Sequence, residues 1–278
     1  PENCNQLILI PHWFLHLFPL HALPLPNQKN QCLLDKFLLG VRYAPSCQLL
    51  DINKNLPRHR PSCNALLPEL FAIQNPTQDL SYSNLEVPTI CGFFQKNQVL
   101  AKQNATKTSF YQKNIENSLR SECYLHFSCH GYFNSNFSMR SALLLADCYV
   151  SGVPDELESG IYLRVENEKK AIDLNKCLVL GEIFTLKLPQ CRLVTLSACE
   201  TGQIDFYNTS DEYIGITSGF LYAGSPSVVS SLWAVNDLST AFLMIKFYKN
   251  LVSATSVAIA LKQAQCWLRD VTKIQLQE

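Results

Sequence analysis

The sequence predicts an α/β fold built around a mainly parallel sheet, and three observations carry that expectation. Short apolar or β-favouring runs alternate with helix-like segments along the second half of the chain. The runs Cys123 to Ser128 and Arg192 to Ser197 have the apolar character of core strands. With 278 residues and 47% hydrophobic content, the chain can fill a sizeable core.

Taken in order, Leu7 to Ile10 reads as a buried strand and Phe37 to Tyr43 as another, each bounded by proline or polar residues. Ser46 is placed to cap a short helix through Ile52. Residues 53–84 turn to Pro, Asn, Gln and Ser, and Pro57, Pro61, Pro68 and Pro76 break long elements, so this stretch is expected to be an irregular connection. Thr106 then caps a helix expected to reach about Leu119, followed by the Cys123 to Ser128 strand. Leu143 to Leu145 reads as a strand, Gly181 to Thr185 as a short helix and Arg192 to Ser197 as a buried strand. A helix opened by Ser210 or Asp211 runs to Gly224, Ser227 to Trp233 is a strand, and amphipathic helices follow over Asp237 to Leu251 and Thr255 to Val271. The sequence contains no internal repeat and no low-complexity tract.

Composition narrows the class. The 23 basic residues balance 23 acidic ones, which gives no reason to expect a nucleic-acid or anionic-membrane partner. Leu7 to Pro24 is long enough to span a bilayer, but three prolines and His12, His16 and His21 fit a strand and turn better. No export signal is recognisable. The twelve cysteines are scattered without a CxxC pair, as expected of reduced, mostly structural thiols in a cytoplasmic protein. The opening Pro1, close to a hydrophobic strand, leads us to expect a piece of a longer chain.

Two segments bear chemistry. In Leu125-His126-Phe127-Ser128-Cys129-His130-Gly131 a strand runs into glycine and leaves His130 at its tip. In Leu193 to Gly202 an apolar strand ends in Ser197-Ala198-Cys199-Glu200 and a loop, so Cys199 is also at a strand tip. In a parallel sheet such tips share the carboxyl edge, about 5 Å apart on adjacent strands and about twice that across one intervening strand. A thiolate beside an imidazole suits acyl transfer, and backbone N–H groups at Gly131 and Cys199 would receive the oxyanion. Taken singly, a histidine or a cysteine in an apolar strand is ordinarily core packing. A zinc site at His126, Cys129 and His130 is disfavoured, because on a strand Cys129 points away from the two histidines and no fourth ligand follows at suitable spacing.

These residues resemble the CHAT domain, a caspase-like family related to separase, gingipain and legumain. The resemblance spans 1–278 and rests on the Leu7 to Pro11 strand, Leu20 to Pro24, Tyr43-Ala44-Pro45-Ser46, His130-Gly131, Ser141-Ala142-Leu143, Ser197 to Gly202 and Val228 to Trp233. It implies a caspase-like three-layer sandwich, with a central mainly parallel sheet between helices, and a cysteine endopeptidase using a Cys199/His130 dyad, with Gly131 and Cys199 as oxyanion donors. It implies no metal and no cofactor. Asp237, following Trp233-Ala234-Val235-Asn236, resembles a separase acid that meets a basic side chain preceding the cut; as a plain structural residue it would cap its helix. Glu200 is the second acidic candidate for substrate binding and otherwise loop structure. The family further implies a protein or peptide substrate, upstream tetratricopeptide-type repeats and a bacterial source. Pro88 departs from it by interrupting a segment, 84–94, expected to be helical, and His21 by occupying a turn position often apolar or small. The alternative is a CHAT scaffold that regulates by binding. An α/β hydrolase or nucleotide-binding domain would need a Gly-x-Ser-x-Gly elbow or a Gly-rich phosphate loop, and neither is present.

Overall fold

Apolar runs assemble into a parallel sheet because burial on both faces satisfies their side chains while the ladder satisfies their backbone. The computed structural model describes residues 4–12, 15–16, 18–26, 28, 30–55, 69–112, 123–134, 137–151, 160–164, 170–197, 215–232, 235–253 and 256–272. The chain opens with β1 (Leu7–Leu9), α1 (Leu33–Lys36), β2 (Val41–Tyr43), α2 (Cys47–Asn55), β3 (Glu69–Gln74), α3 (Ser83–Cys91), β4 (Lys96–Ala101) and α4 (Lys107–Tyr111). It continues through β5 (Cys123–Ser128), β6 (Gly131–Tyr132), β7 (Ala142–Leu143), β8 (Tyr149–Ser151), β9 (Tyr162–Arg164), β10 (Lys170–Asp173) and β11 (Leu178–Val179). Last come α5 (Leu180–Ile183), β12 (Cys191–Leu196), α6 (Ile216–Tyr222), β13 (Val228–Ser230), α7 (Asp237–Leu251) and α8 (Val257–Asp270).

Five strands form the central sheet in the order β13-β12-β5-β3-β4, every pair parallel. Alternate side chains feed two cores. Phe71, Ile73, Leu125, Phe127, Val194 and Leu196 pack with Phe110 of α4, Leu180 and Ile183 of α5 and Phe220 of α6. Leu70 and Leu193 point the other way, to Ile90 of α3, Met244 and Phe247 of α7 and Ala260 of α8. The expected helix-sheet-helix sandwich is therefore present. Two three-stranded sheets, β8-β10-β9 and β11-β7-β6, extend the first layer over a smaller core that includes Leu144, Cys148, Ile172 and Cys177.

Several expectations need correction. Residues 53–84 are not one irregular connection, because Glu69–Gln74 form β3, an interior strand of the central sheet. Pro68 and Pro76 bound this apolar run rather than break it, which is where proline is tolerated around a strand. The second strand is confined to Val41–Tyr43, because Gly40, at φ +84°, turns the chain just before it. Gly40 also lies against the Ala258 carbonyl of α8, where an added Cβ would come within 2.9 Å. The helix capped by Thr106 stops at Tyr111, where Gln112 turns extended. Helix α3 runs through Pro88 and ends at Cys91, short of the expected 94. His21 packs in a turn, its Nδ1 2.8 Å from the Tyr43 hydroxyl. The start expected at Ser210 or Asp211 lies outside the described residues, and helix α6 begins at Ile216.

Candidate active site

The central sheet sets β5 between β3 and β12, so the chain leaves three neighbouring strands on one carboxyl edge. From β5, Cys129 turns inward and is buried, its thiol pushed up far beyond the ordinary range by burial. His130 follows, with 30% of its side chain exposed and its Nε2 2.9 Å from Oδ1 of Asp79. Asp79 comes from the loop joining β3 to α3, inside the stretch the composition suggested was a mere connection. Sequence reasoning missed it because a single aspartate among Pro, Asn and Gln carries no pattern. The available signal was the strand: an apolar run before it would have put Asp79 at the same edge.

The loop holding Asp79 is fixed at several points. Asn75, buried at φ 45°, donates its N–H to the Ser128 carbonyl at 2.8 Å, which joins the ends of β3 and β5. Its side-chain oxygen accepts the Leu80 N–H at 3.0 Å, and Gln78 adopts a second left-handed conformation at φ 67°. Thr77 donates its hydroxyl to the Asp79 carboxylate. Burial pushes the Asp79 carboxyl up, but the Thr77 hydrogen bond and the charge and hydrogen bond of His130 outweigh it and leave the group below the usual aspartate value.

Gly131 opens β6, opposite Leu143 of β7. The Leu144 N–H donates to the His130 carbonyl at 2.9 Å, which makes residues 130 and 144 a hydrogen-bonded pair. By the alternation of an antiparallel ladder, Gly131 and Leu143 are then a non-bonded pair, and the Gly131 N–H is directed away from β7. On the other side, β12 ends at Leu196, paired in register with Phe127 of β5. Cys199 and Glu200 lie outside the described residues, as does Trp233.

Asp237 is the first residue of α7, but it does not cap that helix. Asn236 does, its side-chain oxygen accepting the Ser239 N–H at 3.1 Å. Asp237 instead reaches another helix: its Oδ2 accepts the backbone N–H of Tyr82, the residue preceding α3, at 3.0 Å.

Beneath the loop lies a buried polar layer. Ser128 donates its hydroxyl to Ser83 at 2.7 Å and makes a longer bond, 3.4 Å, to Oε2 of Glu86. Glu86 Oε1 lies 3.0 Å from His126 Nε2, both side chains essentially inaccessible. That approach is misaligned as a hydrogen bond and leaves Oε1 of Glu86 and both ring nitrogens of His126 without a directed partner. The His126 ring also stacks edge-on against Tyr248 of α7.

Other thiols are poor nucleophile candidates. Cys91 and Cys266 are pushed up chiefly by burial, and Cys177 by its hydrogen bond with Cys148 together with burial. Among the described residues no group of three His, Cys, Asp or Glu side chains is set to hold a metal, and no helix is long and apolar enough to cross a membrane. A cleft of about 510 Å³, lined by Glu69, Lys96 and Asn97, opens toward the amino ends of β3 and β4, away from this edge.

Comparison with known proteins bears on the whole chain. The family model described as the CHAT domain matches residues 1–277. No curated protein matches. Eighteen solved chains match, among them a complex of Porphyromonas gingivalis RgpB pro- and mature domains, at 11% identity and a TM-score of 0.49, covering 85% of this chain and 51% of that one. The chain thus spans about half the length of that structure.

Proposed function

The chain belongs to the CHAT domain family, and from that premise we propose that it is a cysteine endopeptidase of the caspase-like clan, hydrolysing peptide bonds with Cys199 as nucleophile and His130 as base. The observation that carries this reading is the pairing of β5 with β12. Their last partners, Phe127 and Leu196, each precede a candidate by three residues, 130 minus 127 and 199 minus 196. Asp79 supports it further by engaging Nε2 of His130, so that Nδ1 is the nitrogen left to exchange a proton with the thiol.

In the proposed reaction the Cys199 sulfur attacks the scissile carbonyl carbon while its proton passes to His130. The resulting oxyanion is received by the N–H groups of Gly131 and Cys199. Collapse breaks the C–N bond, His130 returns the proton to the leaving amine, and a thioester remains. Water, deprotonated by His130, then attacks the thioester, and the carboxylic product leaves as Cys199 regains its proton. Losing one oxyanion donor typically costs about 3 kcal/mol of barrier.

For the substrate we propose a protein or peptide in the cytoplasm, with upstream tetratricopeptide-type repeats controlling access in a longer, bacterial chain. Asp237 engages the Tyr82 N–H through Oδ2, and its other carboxylate oxygen would meet an Arg or Lys preceding the cut. Glu200 is the second acid proposed at that position.

The test is cleavage of a diverse peptide library by the purified protein under reducing conditions, beside Cys199→Ala and His130→Ala. Cutting by the parent and not by either variant supports the dyad. If the parent neither cuts nor reacts at Cys199 with an alkylating probe, the reading fails and the scaffold alternative takes its place.

A further inference from the structure

We infer that Asp237 is a positioning residue for the His130 base, holding in place the loop that carries Asp79. This rests on the peptidase reading above, but it assigns to Asp237 a task that is independent of which side chain the substrate presents. The carboxylate oxygen Oδ2 takes the Tyr82 N–H at 3.0 Å, linking residues 155 positions apart in the chain. Tyr82 stands three residues after Asp79 and immediately before α3, and no side chain within that helix caps its start. An acceptor carrying negative charge is what an uncapped helix start requires, because its first N–H groups have no partner inside the helix and carry partial positive charge. Asp237 supplies that acceptor from α7.

Other bonds shape the loop from within. Asn75 ties its first residue to the Ser128 carbonyl and reaches across to the Leu80 N–H, just past Asp79, and Thr77 braces the carboxylate of Asp79. The loop's far end turns into α3 at Tyr82, where Ser83 bonds Ser128 and Asp237 holds the backbone. Asp79 is more than half exposed, at 53%, so packing alone does little to keep its carboxylate on the imidazole. Without the Asp237 bond, the turn from Asp79 into α3 gains freedom, and the 2.9 Å contact with Nε2 is the first geometry to suffer.

The experiment compares the parent protein with Asp237→Ala and Asp237→Asn, using neutral-residue and Arg or Lys peptide substrates. Asparagine keeps an oxygen that can accept the Tyr82 N–H but removes the charge. Expected for Asp237→Ala is a fall in kcat of between about ten- and a hundredfold on the neutral substrates as well as the basic ones, with KM for the neutral substrates little changed, as for a displaced catalytic group. Expected for Asp237→Asn is recovery of most of kcat on neutral substrates. Loss confined to KM for Arg and Lys substrates, equal in both variants, overturns the inference in favour of a substrate-pocket role. Two readouts need no turnover: the Tyr82 amide should exchange with solvent faster in Asp237→Ala while the interior of α7 stays protected, and Cys199 should alkylate more slowly. If the parent cuts no peptide, the peptidase reading has failed; equal Tyr82 exchange and equal Cys199 alkylation in parent and Asp237→Ala would separately overturn the positioning role.

Discussion

Replacing one member of the Glu86 and His126 pair should destabilise the protein far more than replacing both. The groups approach to 3.0 Å, with side-chain exposures of 1% and 0%, and neither ring nitrogen of His126 nor Oε1 of Glu86 has a directed hydrogen bond. At that distance the attraction between the two groups is offset in large part by the cost of taking both out of water. The net effect of keeping the pair is therefore small, while stranding one partner costs about 3 kcal/mol. For His126→Phe the stranded group is a carboxylate with a single long bond from Ser128, and for Glu86→Leu it is an imidazole with none. Phenylalanine preserves the edge-on ring contact with Tyr248, so the His126→Phe loss reads the polar term rather than packing. Urea unfolding of the parent, both single variants and Glu86→Leu/His126→Phe supplies a double-mutant cycle. Each single variant should lose about 3 kcal/mol, a drop of roughly 6 to 12 °C in Tm, and the double variant should return to within about 1 kcal/mol of the parent. Additive losses in the double variant would refute the claim that the two groups depend on each other.

Three further outcomes follow from the geometry. Asp79→Ala should slow both peptide cleavage and Cys199 alkylation by about tenfold or more while leaving the melting temperature nearly unmoved, because an exposed carboxylate contributes to orienting His130 and little to the core. Gly219→Ala in α6 should cost about 1 to 3 kcal/mol in chemical unfolding, since the new Cβ would stand 2.6 Å from Leu180 Cδ1 and 3.0 Å from Ile183 Cγ2 in the fully packed α5 contact. Asp35→Asn should lower stability by about 1 kcal/mol near neutral pH, where Arg269 Nη1 of α8 holds both carboxylate oxygens at 2.8 and 3.1 Å. Arg269 keeps the Asp35 carboxyl well below the usual carboxylate range, so its contribution is full above the unfolded value of 3.8 and is lost as pH falls through the lower folded value. Melts of parent and Asp35→Asn should thus converge below about pH 4 and stay apart above it.

What the sequence made legible was decided by where each residue's partners lie. Strands β5 and β12 were readable because their own residues are apolar, and α7 was found over Asp237–Leu251 because its periodicity is local. Strand β3 was hidden by its flanks: Pro68 and Pro76 read as breakers, although a proline just outside a strand removes no ladder bond. With β3 went Asp79, whose partnership with His130 spans 51 residues and leaves no trace in spacing. Helix α4 was overrun because the cap at Thr106 marks a start and nothing comparable marks its end. The role of Asp237 could not be separated from helix capping, since an acid at a helix start is ordinary, and only the backbone N–H of Tyr82 shows what it serves.

The placement of polar groups at this edge explains why the acid-bearing loop has the sequence it does. A histidine held at a strand tip by an exposed carboxylate needs that carboxylate fixed by something other than its own burial. Here the fixing is distributed among bonds that are individually modest, each about 0.5 to 1.5 kcal/mol net. Asn75 takes a backbone geometry that asparagine tolerates better than most residues, Ser83 and Ser128 join α3 to β5, and Glu86 with His126 fastens the next turn of the same helix to the same strand. Such a layer gains little stability over apolar packing of equal volume. It does fix the rotation of α3 against β5, because a slip of either element by one residue would leave Glu86, His126 and Ser128 without partners in the core. On this argument the buried pair and the surface acid belong to one arrangement: β5 presents His130 at its tip and, four residues earlier on the same strand, anchors the helix whose approach loop presents Asp79.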